Sequence, residues 1–364
     1  MGATGICFTM ISPILVGSVV DGLGFSREMV GYLSSVNIFG LAFGAAIASV
    51  TIGKTSLLKL IRIACVGLIC FELLSCFVSQ ALPLLGIRAL SGIFGGALYA
   101  YALASFSALP QPRRAFGFYI ICYAVMSLVF LFILPFFIEA YDFRVNFFFL
   151  FLIAVVSLLL SGAVAKFENR IKQRSFERIT SLLANKQVIL SLSAFYLLQL
   201  SGGLMFIYSE RIGTEAGLTT KSIGMMLSLS SVFAIFGAFL VIRVSQRYKV
   251  VPQLILHGFL TMLSMFCLFW SEHIAFFFLG LSLISISWSY LLPFHQQNQS
   301  SFDELGRIVS VGSIVNMMGR ATGPAMAALL LGEAAFENVL WISIVAVIIS
   351  TILFSLLVSR NQSR

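Results

Sequence analysis

Three charged side chains stand inside long apolar runs of the sequence, where a charge needs a counter-ion, a ligand or water. They are Glu72, Arg88 and Arg320. A carboxylate in apolar surroundings can take up and release a proton, and a guanidinium can hold an anion through paired hydrogen bonds. The residue types therefore offer proton coupling and anion binding.

Glu72 and Arg88 are predicted to lie at similar depths in two consecutive apolar runs. At 1.5 Å per helical residue, their distances from the same ends differ by roughly one turn. We interpret them as an ion pair between two helices. Two roles stay open: a fixed pair that joins the helices, or a proton or gate site in which Arg88 controls the charge of Glu72.

Arg320 lies near the middle of its run, and no acidic residue occurs within that run or its two neighbours. Asn316 precedes it by one helical turn. A buried guanidinium needs an anion or several carbonyl oxygens. Arg320 therefore either binds an anionic group, or bonds helix-end carbonyls or Glu72.

Further polar side chains in the middle of apolar runs are predicted to line a substrate cavity together with Arg320 and Asn316. Charges near the run ends are predicted to act as gates. The polar segment 293–299 at the end of the tenth run is predicted to break the helix at Pro293 and to face water, His295 included, as part of a cytoplasmic gate. The predicted cavity residues are Asn37, Tyr123, Gln199 and Trp288, and the predicted gate residues are Arg114, Asp303 and Arg307. No catalytic motif is present, so neither an enzyme nor a cofactor or metal site is predicted.

The composition indicates whether these residues are surrounded by water or by lipid. Of 364 residues, 59% are apolar and 10% are charged, and the mean hydropathy is +1.02. Soluble domains carry about 25% charged residues, so this chain cannot cover a water-facing surface. It is predicted to be a polytopic membrane protein.

Twelve apolar runs are long enough to cross a bilayer, and they are predicted to be helical because lipid offers the backbone no hydrogen-bond partner. The predicted spans are 2–20, 29–50, 60–79, 84–108, 115–138 and 145–165, then 187–209, 222–242, 254–270, 274–294, 308–331 and 339–358.

The distribution of Lys and Arg predicts the orientation. With both termini cytoplasmic, 17 basic residues fall on the inner side and only 4 in the outer loops: Arg27, Arg144, Arg211 and Lys221. This topology accounts for the net charge of +9 without a nucleic-acid partner. Short loops favour a bacterial inner membrane.

One connection is long and basic. Residues 166–186 carry apolar side chains at near-helical spacing, and we interpret the segment as an amphipathic linker on the cytoplasmic leaflet. It is predicted to join two bundles of six helices each, residues 1–165 and 187–364.

An internal repeat supports the two bundles. A shift of 193 residues superposes Gly24 on Gly217, Gly31 on Gly224, Ser35 on Ser228, Phe43 on Phe236, Gly44 on Gly237, Lys54 on Arg247 and Arg114 on Arg307. Six spans separate the copies, so both insert in the same direction. Parallel six-helix repeats are a transporter architecture.

Three short motifs stand out: RALSGIFG at 88–95, GRATGP at 319–324 and GLGFS at 22–26. They resemble motifs of the major facilitator superfamily, and the resemblance covers essentially the whole chain. The loops after spans 2 and 8 lack the acidic residue of the family's signature loop, and span 5 lacks the glycine–proline pattern of antiporters. These departures argue against drug/proton antiport.

The resemblance implies a secondary transporter with two pseudo-symmetric six-helix bundles and a central cavity lined by spans 1, 4, 7 and 10. The predicted partners are the lipid bilayer, a small organic solute, and a coupled proton or counter-solute. An anionic solute is one option. The chain is predicted to be monomeric. The alternative is a transport-inactive protein of the same fold that senses a ligand or acts as a membrane scaffold.

Overall fold

The computed structural model describes residues 1–52, 54–107, 112–163, 183–244, 248–302, 307–331 and 336–362. These residues form twelve long helices and no β-strand. Helix α1 has two segments, Gly2–Gly5 and Cys7–Leu23; the others are α2 (Arg27–Thr51), α3 (Leu57–Ser75), α4 (Ala81–Ser107), α5 (Pro112–Ala140), α6 (Arg144–Leu159), α7 (Lys186–Glu215), α8 (Thr220–Val244), α9 (Val250–Phe269), α10 (Ile274–Ser300), α11 (Arg307–Leu331) and α12 (Glu337–Gln362).

The all-helical prediction is confirmed, and ten of the described helices are long and apolar enough to cross a membrane by themselves. The other two are α3, which carries Lys59, Arg62 and Glu72, and α11, which carries Arg320. Both correspond to predicted spans.

The helix ends follow local sequence signals. Ser26 caps α2, since its Oγ accepts a hydrogen bond from the backbone N–H of Met29 at 3.2 Å. Asn185 caps α7 in the same way, accepting from Gln187 N–H at 2.9 Å. Gly24 and Gly217 follow α1 and α7 with positive φ of 64° and 82°, a conformation in which glycine avoids the steric cost of a Cβ.

The repeat predicted at a shift of 193 residues is visible in the helix boundaries. Four helix pairs begin 193 residues apart: α2 and α8 at Arg27 and Thr220, α3 and α9 at Leu57 and Val250, α4 and α10 at Ala81 and Ile274, and α6 and α12 at Arg144 and Glu337. The two positive-φ glycines differ by the same interval. The pseudo-symmetry of the two six-helix sets is therefore confirmed.

The chain divides into two compact units, Met1–Ser175 and Phe176–Arg364. In the first unit, α4 packs against α2 and α3, and α3 packs against α6. In the second unit, α10 packs against α8 and α9, while α7 packs against α11 and α12. The predicted linker, 166–186, lies outside the described residues from 164 to 182.

Glycines allow the backbones of α2 and α4 to touch. A Cβ at Gly44 would collide with the carbonyl oxygen of Ile93, and a Cβ at Gly92 would collide with that of Asn37. In the second unit a Cβ at Gly237 would lie 2.5 Å from the carbonyl oxygen of Ile286. The pair Gly237 and Ile286 is the pair Gly44 and Ile93 shifted by 193, so the contact itself is repeated.

Two local predictions are wrong. Span 7 does not end at 209: α7 continues to Glu215, so Arg211 belongs to a helix and not to an outer loop. The helix of span 10 does not break at Pro293, because α10 stays helical to Ser300 with Pro293 inside it. His295, expected to face water there, is buried between the rings of Phe195 and Phe354.

Candidate functional site

The first unit contains a buried ion pair between α3 and α4. Arg88 Nη1 donates a hydrogen bond to Glu72 Oε2 at 2.6 Å, and their side chains are 0% and 3% exposed. Ser91 Oγ donates to Glu72 Oε1 at 2.5 Å, so both carboxylate oxygens accept a hydrogen bond. The pairing expected from the sequence is therefore present in the structure.

Aromatic rings and one amide complete the surroundings of Arg88. Its Cζ lies 4.8 Å from the centroid of the Phe8 ring and 5.3 Å from that of Phe147, distances at which a guanidinium is attracted to the ring face. Asn37 Nδ2 donates to the backbone oxygen of Arg88 at 2.8 Å. In the described part of the chain, Arg88 Nε and Nη2 have no hydrogen-bond partner.

A small cavity adjoins this cluster. Its polar lining comes from Thr4, Asn37, Glu72 and Ser91, and its volume is about 10 Å³, roughly the space of a single water molecule. The sequence predicted Asn37 as a cavity residue, and the structure places it here, fully buried between α2 and α4.

Tyr123 belongs to a separate aromatic cluster of the first unit. Its ring centroid lies 6.4 Å from that of Tyr119, which in turn lies 6.1 Å from Tyr99 and 6.1 Å from Phe106. The cluster joins α4 and α5. Tyr123 is half-buried, and at the repeat interval it corresponds to Asn316, one of the two predicted cavity residues on α11.

The second unit brings three predicted cavity residues together from three helices. Arg320 Cζ on α11 lies 5.7 Å from the ring centroid of Trp288 on α10. Trp288 Nε1 donates to Gln199 Oε1 on α7 at 3.2 Å. We call Gln199, Trp288 and Arg320 the arginine cluster. It combines a cation, a flat ring and an amide whose nitrogen has no described hydrogen-bond partner.

The arginine cluster depends on close contact between α7 and α11. A Cβ at Gly203 would lie 2.6 Å from the backbone oxygen of Arg320, and a Cβ at Gly319 would lie 2.9 Å from Gln199 Cβ. Asn316 is one turn before Arg320, and its buried Oδ1 has no described partner. The small residues of the GRATGP motif thus place Arg320 beside Gln199.

Arg320 has no carboxylate partner within the described residues. Its side chain is half-buried and its guanidinium contacts the Trp288 ring without a hydrogen bond or ion pair to a described side chain. The charge of Arg88, by contrast, is paired with the carboxylate of Glu72. Within the described residues, Arg88 therefore has a carboxylate counter-ion and Arg320 has none.

One buried charge pair was missed from the sequence. On α7, Arg211 Nε donates to Glu210 Oε2 at 2.6 Å, and the side chains are 8% and 0% exposed. The error follows from ending span 7 at 209. The repeat had already matched Gly217 with Gly24, and this match was the signal for a longer helix, because each glycine follows the last turn of its helix.

Two of the predicted gate residues lie at the beginnings of helices. Arg114 falls in the first turn of α5 and Arg307 begins α11, but their side chains are outside the described part, as is Asp303 altogether. Among the described residues, no group of three His, Cys, Asp or Glu side chains comes together that could hold a metal ion.

Two equivalent sets of six apolar helices with a few buried charges are the architecture of a secondary transporter. The sequence matches the family model of the Major Facilitator Superfamily over residues 1–302. The chain belongs to this family, as its motifs indicated, and it is a membrane transporter and not an enzyme.

Solved structures share the fold at low sequence identity. A D-xylose–proton symporter matches with a TM-score of 0.78 at 12% identity, covering 97% of this chain and 95% of that chain. A peptide transporter, POT, matches at 0.74 and 12% identity, with coverage of 97% and 91%. The human organic anion transporter MFSD10 (TETRAN) matches at 0.67 and 14% identity, with coverage of 98% and 96%. Among curated protein sequences, none matches this chain.

Proposed function

We propose that this chain moves a small organic anion across the membrane by alternating access, with Arg320 as the group that holds the anion. One observation carries the proposal: Arg320 is a partly accessible cation in the middle of α11, a helix that corresponds to a predicted span, and it has no carboxylate partner among the described residues. The solved structures share only the fold with this chain, so their substrates do not indicate which substrate it transports.

The depth of Arg320 supports a ligand role. It is the fourteenth of 25 residues of α11, which places it about 16–20 Å from either helix end at 1.5 Å per residue. A charge at this depth is costly unless it is neutralised or reaches water. The Trp288 ring offsets part of the cost, and a bound anion would offset much of the rest.

The geometry of the arginine cluster suits a carboxylate or phosphate on a small organic group. A guanidinium offers planar paired donors that match these anions. The Trp288 ring is held by its hydrogen bond to Gln199 and presents a flat apolar surface for the organic part. Asn316 and Gln199 supply further polar atoms for the same ligand.

The remaining predicted residues enter as further proposals. Asn37 and Tyr123 would contribute from the first unit, and Glu72 with Arg88 would set proton coupling or gate charge. Arg114, Asp303 and Arg307 would act as gate charges. The bundles 1–165 and 187–364 would move about the linker 166–186, in a monomer whose termini face the cytoplasm of a bacterial inner membrane.

Thermal unfolding of the detergent-purified protein tests the anion site. Small organic anions, cations and neutral solutes are compared. A ligand at 100 times its dissociation constant should stabilise the protein by about 2.7 kcal/mol. We expect stabilisation by anions, its loss in Arg320→Gln, and partial retention in Arg320→Lys, which keeps the charge but not the planar donors. Arg243→Gln, an exposed arginine of the same unit, is the matched control.

Flux into proteoliposomes then separates a transporter from a sensor. A transporter shows saturable uptake of the stabilising anion that Arg320→Gln abolishes and Arg243→Gln retains. Binding without flux would support the transport-inactive alternative. Stabilisation by cations or neutral solutes alone, or anion stabilisation that survives in Arg320→Gln, would exclude Arg320 as the anion contact.

A further inference from the structure

A surface groove on the first unit has a composition that packing does not explain. It has a volume of about 550 Å³ and runs along the first half of α3 beside Phe94 of α4. We call it the α3 groove. Its lining consists of Ser56, Leu58, Lys59, Arg62, Ile63, Val66, Gly67 and Phe94.

The two cations of the α3 groove have no acidic partner among the described residues. Lys59 and Arg62 are one turn apart and exposed. Arg62 Nε donates to Ser161 Oγ at 3.4 Å, which leaves its two terminal nitrogens for another acceptor. The one carboxylate of α3, Glu72, is already paired with Arg88. Among the residues that the structure describes, no carboxylate neutralises the positive charge of the groove.

The α3 groove has two layers: a charged layer near the beginning of α3 and an apolar layer further along the helix. Lys59 and Arg62 are the third and sixth residues of α3, so they lie within about 8 Å of its first residue. Deeper in the helix, Ile63 and Val66 are 50% and 47% exposed. Gly67 keeps the groove open beside Phe94, because a side chain there would collide with that ring.

The internal repeat shows that the fold does not require these cations. Helix α9 begins 193 residues after α3, and its residues at the positions of Lys59 and Arg62 are Pro252 and Ile255. Ile255 is 54% exposed, as expected for a position that faces lipid. The first unit carries two charges where the equivalent helix needs none.

We propose that the α3 groove binds an anionic phospholipid, with the phosphate between Lys59 and Arg62 and an acyl chain along Ile63, Val66 and Phe94. Arginine and lysine near a membrane surface attract anionic headgroups, and basic pockets between membrane helices are known lipid sites. The chain's own linker is a poor occupant, since residues 166–186 carry six basic and two acidic residues. An amphipathic anion matches both layers.

Native mass spectrometry of the full chain in neutral detergent tests the proposal with defined lipids. Phosphatidylglycerol, phosphatidylcholine and inorganic phosphate are titrated separately. We expect phosphatidylglycerol to bind at least tenfold more tightly than phosphatidylcholine. The variant Lys59→Gln/Arg62→Gln should weaken phosphatidylglycerol binding about 30-fold, from the loss of two surface cations.

A matched variant controls for net charge. Arg243→Gln/Lys249→Gln removes one arginine and one lysine from exposed positions of the second unit, and it should leave phosphatidylglycerol binding within twofold. The groove-filling variant Val66→Trp keeps both cations. It should weaken the binding of phosphatidylglycerol and leave the binding of inorganic phosphate unchanged. All variants change exposed residues, and size-exclusion profiles check their folding.

Three outcomes would overturn the proposal. Equal binding of phosphatidylglycerol and phosphatidylcholine would mean that the cations do not select a headgroup. An equal loss in the Arg243→Gln/Lys249→Gln control would mean that only net charge matters. Binding of inorganic phosphate as tight as that of phosphatidylglycerol, unaffected by Val66→Trp, would assign the cations to a free anion.

Discussion

Glu72 and Arg88 occupy positions that the second unit fills with apolar residues. At the repeat interval their counterparts are Met265 and Leu281, which are 0% and 3% exposed. The same helix contact is therefore built once with a buried ion pair and once without charge. Because a buried pair adds little stability over well-packed apolar residues, its presence in one unit alone favours a role beyond holding α3 against α4.

A double substitution can test this at the level of the two residues. Glu72→Met or Arg88→Leu alone should destabilise the protein by about 3–5 kcal/mol, because each leaves an unpaired buried charge. Glu72→Met/Arg88→Leu together copy the second unit, and we expect stability within about 1 kcal/mol of the parent. Unfolding in detergent measures all four proteins.

The double variant also separates the two roles left open for the pair. If Glu72 is a proton site, the folded double variant should lose the dependence of flux on a pH gradient. Flux that remains coupled to the gradient would show that the pair only joins α3 to α4. A double variant as unstable as the single ones would contradict the structural equivalence of the two units.

At the scale of elements, helix contacts through glycine determine which residues meet. Gly44 packs on Ile93 between α2 and α4, and Gly203 packs on Arg320 between α7 and α11. These contacts set the depth at which Asn37 reaches the backbone of Arg88 and at which Arg320 lies beside Gln199. A change of one methyl group at such a site should therefore affect a neighbouring site as well as stability.

Gly44→Ala tests the contact between α2 and α4. The added methyl group would collide with the Ile93 carbonyl oxygen, so we expect a loss of about 1–3 kcal/mol, as for overpacked cores. Gly86→Ala on α4 is the control, since a Cβ there meets nothing within 4 Å. That change should be neutral or stabilising by up to about 1 kcal/mol. Equal stability of the two variants in thermal unfolding would refute the close contact.

At the scale of the whole molecule, the predicted orientation rests on an asymmetry of basic residues. The basic residues predicted to lie on the outer side are Arg27, Arg144, Arg211 and Lys221. All four lie within described helices, three of them in a first turn and Arg211 four residues before the end of α7. The basic residues predicted to be cytoplasmic number 17, and the positive-inside rule therefore predicts cytoplasmic termini.

Reporter fusions test this orientation. Green fluorescent protein after Arg364 should fluoresce, because the positive-inside rule places the C-terminus in the cytoplasm. Alkaline phosphatase at the same position should be inactive. The same phosphatase inserted between α7 and α8, at residues 216–219, should be active. The reverse pattern of the two phosphatase fusions would overturn the predicted direction.

The sequence by itself determined the class of protein, the number of helices and the repeat. These features depend on local composition, because lipid requires apolar side chains and internally bonded backbone over about 20 residues. It also singled out Gln199, Trp288 and Arg320, because each polar side chain within an apolar run can be recognised without knowing its neighbours in space. Helix ends were less well determined: the extent of α7, and with it the Glu210–Arg211 pair, depended on a glycine whose conformation only the structure shows.

Only the tertiary structure decided which of these residues meet. Gln199, Trp288 and Arg320 lie on α7, α10 and α11 and are up to 121 positions apart in the chain, between residues 199 and 320. Their contact depends on how glycine faces let the helices approach, and hydropathy does not encode that. The same packing paired Arg88 with Glu72 and left Arg320 without a described carboxylate. The availability of a buried charge is a property of its neighbours in space, and those are set by the packing of distant helices.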